Sequence, residues 1–84
     1  MLELYQFEEC PYSRQVRLKL SEWEIDYILR NVSQLKSKRQ RLKKISGQTA
    51  VPTLVDSLYN AVITGDEKKI IAYLQKHYRV HAKP

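Results

Sequence analysis

The chain has 84 residues, with 15 lysines and arginines against nine aspartates and glutamates, for a formal net charge of +6. No stretch approaches the roughly 18 consecutive apolar residues that a membrane-spanning helix needs, and no basic leader precedes an apolar segment. One cysteine and two histidines exclude an internal disulfide framework and a structural zinc site. We therefore expect a soluble cytoplasmic protein without membrane contact, with one domain over residues 1–78 and a loosely ordered tail over 79–84.

The first three elements alternate between strand and helix patterns. Alternating apolar residues predict a strand over Leu2–Phe7. Residues Ile25–Val32 favour a second strand, and the interval between the two fits a right-handed crossover that makes them parallel. Between them, apolar residues recur at spacings of four, four and three, as in one helical stripe facing a core: Tyr12, Val16, Leu20 and Trp23.

A second helix is predicted between this crossover and a hairpin. Ser33 or Ser37 is its expected N-cap, and Gly47 is its expected C-terminal stop. Strands over Val51–Val55 and Tyr59–Ile63 then form the hairpin. The apolar positions assigned to this helix are Leu35, Leu42 and Ile45.

The last predicted helix covers Asp66–Tyr78, where apolar residues again follow helical spacing. Its start, Thr64 with Glu67 three residues later, fits a capping box, which makes Thr64 the expected N-cap. The order of elements is therefore β-α-β-α-β-β-α. This order predicts an α/β fold with a four-stranded mixed sheet flanked by helices.

The only thiol, Cys10, lies where the first strand gives way to the first helix. The unpaired N–H groups and partial positive charge of a helix N-terminus favour the reactive thiolate. Pro11 suits the first helical position, so we expect Cys10 to be the exposed N-cap. The acidic pair Glu8 and Glu9 opposes ionisation of the thiol and Arg14 favours it, so charge alone leaves the balance open.

Pro52 directly precedes a predicted strand, where a trans proline would be an awkward ladder member. From the residues alone the trans form is favoured, because only about 5% of X–Pro bonds are cis. A cis bond would instead turn the chain and leave the backbone groups of Val51 facing outward. An extended thiol peptide could then pair with them as an added strand.

Three segments in register resemble a glutaredoxin. They are the strand ending in Cys10–Ser13, the Ser-Gly-Gln-Thr-Ala-Val-Pro-Thr segment at 46–53, and the helix start Thr64–Glu67. The likeness covers about residues 2–78. The stretch Ile70–Leu74 also resembles the last helix of glutathione S-transferase N-terminal domains. The resemblance implies a thioredoxin-like fold.

The resemblance also implies a glutathione-dependent thiol-disulfide oxidoreductase with Cys10 as the nucleophile. In that family a cis proline faces the active cysteine, and the backbone before it pairs with the cysteinyl unit of glutathione. The N-terminus of the final helix receives the γ-glutamyl carboxylate. The implied glutathione-binding residues are Tyr12, Val51, Pro52, Asp66 and Glu67, with Pro11 and Ser13 as motif neighbours.

Ser13 stands where many glutaredoxins have a second cysteine, and it is either natural or a cysteine replaced to trap a mixed disulfide. The chain as it stands would use monothiol exchange, with glutathione as reductant and co-substrate. Its expected partners are glutathionylated or disulfide-bearing proteins, and we expect a monomer without a metal. The alternative is a noncatalytic binding module or a glutathione-assisted iron-sulfur cluster carrier, although Tyr12–Ser13 differs from the Gly-Phe-Ser usual in that group.

The segment Arg30–Lys44 carries seven basic residues and no acidic one. Nucleic acid is disfavoured as a partner, because no aromatic residue in the segment could stack on bases. We interpret the segment as a solvated face that attracts anionic glutathione. One of its cations could also contact the glycyl carboxylate of glutathione.

Overall fold

Strand β1, Leu2–Gln6, lies inside a four-stranded sheet in the computed structural model, which describes residues 1–78. The other strands are β2, Ile28–Asn31, β3, Thr53–Asp56, and β4, Ala61–Thr64, and the sheet order is β2-β1-β3-β4. Strand β1 pairs in parallel with β2 and antiparallel with β3, and β3 pairs antiparallel with β4. The predicted mixed sheet is confirmed, and the predicted tail over 79–84 lies outside the described residues.

Two helices cover one face of this sheet. Helix α1, Pro11–Glu22, and helix α3, Glu67–His77, contact each other. The apolar core lies between these two helices and the sheet. Its buried members are Leu2, Leu4, Val16, Leu20, Trp23, Leu54, Ile70 and Leu74.

The second helix, α2, covers only Gln40–Ser46 and is preceded by a 3-10 turn at Lys36–Lys38. The prediction that Ser33 or Ser37 caps it is wrong, since no side chain caps the start of α2. The Ser33 hydroxyl instead accepts a hydrogen bond from the N–H two residues on, at 3.0 Å, which forms a local turn. Gly47 ends α2 with a φ of +81°, so its predicted role as the C-terminal stop is confirmed.

Helix α2 lies on the other face of the sheet. Leu42 is buried apart from the main core, and the Arg41 guanidinium lies over the ring of Tyr5, 5.4 Å from its centroid. Tyr5 points away from the α1 and α3 face because side chains alternate along β1. The other apolar positions assigned to this helix, Leu35 and Ile45, remain exposed.

A buried carboxylate joins the end of β3 to the last turns of α3. Asp56 is buried, and its Oδ2 accepts hydrogen bonds from the hydroxyls of Tyr73, at 2.6 Å, and Tyr78, at 2.7 Å. Its Oδ1 accepts from the N–H of Leu58 at 3.0 Å. Burial alone would raise the pKa of Asp56, but these hydrogen bonds outweigh it and lower that pKa. Burial and the bonds to Asp56 raise the pKa of both tyrosines.

Tyr73→Phe is expected to lower the free energy of unfolding by about 2 kcal/mol near pH 7, because it removes one donor to a buried carboxylate. The folded-state pKa of Asp56 is depressed, so this stabilisation is present above the unfolded pKa and is lost as pH falls through the folded one. The variant and the original chain should therefore converge in stability on acidification. Urea unfolding measured between about pH 7 and pH 3 tests this.

Tyr27→Phe is the matched control. Tyr27 is half-buried against the same core, and its hydroxyl takes no part in the Asp56 cluster. Its loss of stability should stay within about 0.5 kcal/mol at every pH. A Tyr73→Phe deficit that remained unchanged at about pH 3 would contradict the role of the ionised carboxylate.

Candidate functional site

The thiol of Cys10 lies at the N-terminus of α1. Cys10 is the N-cap, as predicted, and its Sγ accepts a hydrogen bond from the backbone N–H of Ser13 at 3.4 Å. Pro11 occupies the first helical position. The prediction that Cys10 is exposed is wrong, since the residue retains only 5% of its accessible surface. The reason is that the sulfur turns back over the first turn of the helix rather than outward into solvent.

A cleft of about 380 Å³ opens beside this thiol. It is lined by Phe7, Cys10, Pro11, Tyr12, Gln34, Lys36, Arg39, Ala50 and Val51. The Val51–Pro52 peptide bond is cis, and Val51 forms part of the wall. Tyr12 is 55% exposed at the rim, so it does not join the buried stripe of α1 as its spacing predicted. The cleft thus brings Cys10, Tyr12 and Val51 together.

The turn before Val51 is held by its own side chains. The N–H of Ala50 donates to Gln48 Oε1 at 2.5 Å, and the carbonyl of Ala50 accepts from the Thr53 hydroxyl at 2.8 Å. Gln48 Nε2 also donates to Thr53 Oγ1 at 3.2 Å. Both backbone polar groups of Ala50 are therefore satisfied within the turn.

Val51 differs from its two neighbours in the turn in its backbone hydrogen bonding. The Pro52 carbonyl accepts from the N–H of Gly65 at 2.7 Å, and Ala50 is satisfied as described. Within residues 1–78, neither the N–H nor the carbonyl of Val51 takes part in a hydrogen bond. Because backbone polar groups require partners, the peptide groups of Val51 are available to a ligand in the cleft.

The N-terminus of α3 follows directly after this contact. Asp66 is its N-cap, and Asp66 Oδ1 accepts from the N–H groups of Lys68, at 3.0 Å, and Lys69, at 3.1 Å. The prediction that Thr64 is the N-cap is wrong, because Thr64 is held in strand β4. Glu67 is the first helical residue. An Asp placed one turn before an apolar run is an equally good cap signal, which the Thr-x-x-Glu pattern obscured.

The structure separates the implied site residues into three groups. Cys10 and Val51 line the cleft together with Pro11 and Tyr12, whereas Pro52 and Ser13 are buried behind it. The Ser13 hydroxyl has no hydrogen-bond partner within residues 1–78. The half-buried pair Asp66 and Glu67 does not line the cleft, although the Pro52–Gly65 hydrogen bond holds the start of α3 next to the proline turn.

Glu8 and Glu9, the acidic pair before Cys10, contact the side chains of other residues. Glu8 lies 3.8 Å from the guanidinium of Arg17, and Glu9 accepts a hydrogen bond from Gln34 at 3.0 Å. Both carboxylates are exposed to solvent. Arg17 therefore offsets part of the charge of Glu8, whereas Glu9 is held beside Gln34, a residue of the cleft wall.

Arg39 is the site residue that the sequence analysis missed. It retains 5% of its accessible surface, and its guanidinium donates to three carbonyls: those of Ser33 at 2.7 Å, Thr49 at 2.8 Å and Gln34 at 3.1 Å. It also lies 5.4 Å from the ring centroid of Phe7. Since Thr49 precedes one wall of the cleft and Gln34 lines another, one buried cation joins both walls. No helical stripe in the sequence indicates this role, because Leu35, four residues before Arg39, is exposed and lies outside α2.

Arg39→Lys is expected to lower the free energy of unfolding by about 2 to 3 kcal/mol, because a point charge cannot serve three diverging carbonyls. Urea unfolding is the measurement. Lys38→Met provides the control, since the neighbouring Lys38 is exposed and its replacement should cost no more than about 0.5 kcal/mol. An Arg39→Lys variant as stable as the original chain would contradict the three-carbonyl role.

Gly65 lets the start of α3 approach the proline turn. Its φ is +64°, and a Cβ at this position would lie 2.7 Å from the Cβ of Ala50. Gly47 has a similar φ of +81°, but a Cβ there would meet nothing within 4 Å. Both glycines favour the left-handed conformation, and only Gly65 also needs the close approach.

Gly65→Ala and Gly47→Ala should therefore differ in cost. Both variants strain a left-handed residue by about 1 to 2 kcal/mol. Gly65→Ala should lose about 1 to 3 kcal/mol more, because Ala50 must shift. Thermal or urea unfolding of the two variants side by side measures the difference. Equal losses would show that the contact with Ala50 does not constrain the turn.

The described residues contain no group of three or more histidine, cysteine, aspartate or glutamate side chains that could hold a metal ion. In the same part of the chain, no helix has the length and apolar character needed to cross a membrane. His77 lies between aromatic rings, with centroids 4.7 Å from that of Tyr59 and 4.5 Å from that of Tyr73.

The sheet order, the N-cap thiol and the proline turn together define a thioredoxin-like domain. The profile of the glutaredoxin family matches residues 2–57. This chain belongs to the glutaredoxin family. Comparison with curated proteins gives no match.

Solved structures similar to this chain include glutathione S-transferases. One from Drosophila melanogaster has 34% identity and a TM-score of 0.78, with 93% of this chain and 35% of that chain covered. A homologue from Drosophila mojavensis with bound glutathione has 29% identity and a TM-score of 0.81, with 93% and 35% covered. Human glutathione transferase theta-2, in complex with glutathione and an unknown ligand, has 26% identity and a TM-score of 0.82, with 94% and 32% covered. This chain thus spans about a third of their length.

Proposed function

We propose that this domain is a glutathione-dependent thiol-disulfide oxidoreductase that reduces glutathione mixed disulfides through Cys10 alone. The observation that carries the proposal is the shared cleft, in which the Cys10 thiol and the unpaired peptide groups of Val51 lie together. Membership in the glutaredoxin family supports thiol chemistry. Glutathione bound to two of the similar transferases supports glutathione as the ligand.

Each part of glutathione has a matching group around the cleft. The N–H and carbonyl of Val51 would pair with the cysteinyl backbone, beside the ring of Tyr12. The γ-glutamyl carboxylate would bind the N–H groups of Asp66 and Glu67, because the Asp66 carboxylate already occupies the next two amides of α3.

The cations that line the cleft are Lys36 and Arg39. Arg39 is committed to three backbone carbonyls, whereas Lys36 is exposed. Lys36 is therefore the better candidate to contact the glycyl carboxylate, which the sequence analysis left without an assigned partner.

The proposed reaction has two exchange steps. The Cys10 thiolate attacks the glutathione sulfur of a mixed disulfide, so that a Cys10–glutathione bond forms and the substrate thiolate leaves and takes up a proton. The thiolate of a second glutathione then attacks the glutathione sulfur held on Cys10. This step releases oxidised glutathione and restores the Cys10 thiolate. Overall, one free glutathione exchanges with the mixed disulfide: the substrate sulfur is reduced to a thiol and the sulfur of the incoming glutathione is oxidised. The transferred glutathionyl sulfur stays at the disulfide level, first on Cys10 and then in oxidised glutathione.

Ser13 explains why an external thiol completes the cycle. Its side chain is buried beside Cys10 and cannot act as a resolving thiol. The second step therefore needs free glutathione, which the cytosol keeps reduced. We accordingly propose that the domain acts in the cytoplasm, as a monomer, on glutathionylated or disulfide-bearing proteins.

The proposal is tested with Cys10→Ser and the matched control Ser13→Ala. The original chain should gain the mass of one glutathione on incubation with oxidised glutathione, and it should reduce the mixed disulfide of glutathione and mercaptoethanol. Cys10→Ser should lose both properties, because it removes the nucleophile. Ser13→Ala should keep both, because the cycle uses one thiol and the Ser13 hydroxyl forms no hydrogen bond within residues 1–78.

Two outcomes would overturn this function. An unmodified Cys10 in a chain that still binds glutathione reversibly would indicate a noncatalytic binding module. Brown colour and dimerisation on reconstitution with iron and sulfide, without reduction of the mixed disulfide, would indicate an iron-sulfur carrier.

A further inference from the structure

Four exposed cations lie in the segment that also contributes to the cleft, and we call them the basic surface. They are Lys38, Arg41, Lys43 and Lys44, in the 3-10 turn and in helix α2. No acidic residue occurs between positions 30 and 44. Within residues 1–78, the ion pairs involve other cations. Arg41 lies over the ring of Tyr5, and the charges of Lys38, Lys43 and Lys44 are left for a partner.

The basic surface belongs to the same segment as two residues of the proposed active site. Lys36 and Arg39, from this segment, line the cleft that contains Cys10. Lys38 lies between them in the 3-10 turn, so a macromolecule bound there would contact a segment that forms part of the cleft wall.

Exposed apolar side chains accompany these charges. Leu35 is 58% exposed before the 3-10 turn, and Ile45 is 48% exposed in the last turn of α2. No aromatic residue in this segment could stack on bases. The mixture of cations with exposed aliphatic groups fits an acidic polypeptide better than a nucleic acid.

We propose that the basic surface docks the protein substrate, and that the preferred substrates carry their glutathionylated cysteine among acidic residues. This inference rests on the proposed function and adds the class of substrate. Charge complementarity would speed the encounter and orient the modified cysteine toward the cleft, and salt would weaken the effect.

The test uses two peptides that share one glutathionylated cysteine and differ only in acidic or lysine-rich flanks. The original chain should reduce the acidic peptide with a kcat/KM about ten-fold higher, and about 0.5 M salt should largely remove this preference. Lys44→Glu should lower kcat/KM for the acidic peptide about five-fold at low salt.

Lys76→Glu is the matched control, because Lys44 and Lys76 are both exposed lysines in the last turn of a helix. Both variants change the net charge equally and lose the same interaction with a helix C-terminus. Lys76→Glu should therefore keep the preference for the acidic peptide.

The small mixed disulfide of glutathione and mercaptoethanol separates the two proposals. If the original chain fails to reduce it, the proposed function fails. If it reduces that substrate but treats both peptides alike, or if Lys76→Glu and Lys44→Glu have equal effects, only the docking proposal is overturned. A single-stranded oligonucleotide that competes with the acidic peptide, and binds more tightly in fluorescence anisotropy, would also overturn it in favour of nucleic acid.

Discussion

One row of paired residues across the sheet determines where the site forms. Tyr5 of β1 pairs with Thr53 of β3, and Thr53 pairs with Thr64 of β4. Because β3 is antiparallel to both neighbours, this row lies at the end of β1 and β4 and at the start of β3. The chain that leaves β1 toward Cys10, the proline turn that enters β3, and the start of α3 therefore emerge at one edge of the sheet.

Thr53, which belongs to this row, also stabilises the turn before Pro52 through its side chain. The Thr53 hydroxyl donates to the Ala50 carbonyl and accepts from Gln48, so a residue fixed by the ladder also holds the chain before Val51. Arg39 completes the arrangement from the opposite side by joining Thr49 to the loop after β2. Burial of a cation without a carboxylate is unfavourable, and three carbonyl acceptors offset that cost. Hydrogen bonds thus hold the backbone on both sides of the cleft, which favours the orientation of a flexible peptide ligand.

The sequence predicted the order of elements and the N-cap position of Cys10, because periodicity and the Pro11 signal are local. Thr64 and Asp66 are both good N-cap residues, and the sequence did not predict which of them starts α3. Thr64 is not the cap because it belongs to strand β4, which leaves Asp66 as the N-cap. The burial of Cys10 follows from the orientation of its sulfur over the first turn of α1, and Arg39 contacts carbonyls in the loops before and after α2. Strand and helix periodicity predicts neither the orientation of a side chain nor the conformation of a loop. The cis bond before Pro52 was expected from the family resemblance and not from the residues alone.

The decisive measurement is a crystal structure of this chain after reaction with oxidised glutathione. We expect one glutathione joined by a disulfide bond to Cys10, with its cysteinyl backbone paired to the N–H and carbonyl of Val51. Its γ-glutamyl carboxylate should lie at the N-terminus of α3. A glutathione bound to Cys10 but turned away from Val51, or bound at another place altogether, would contradict the account.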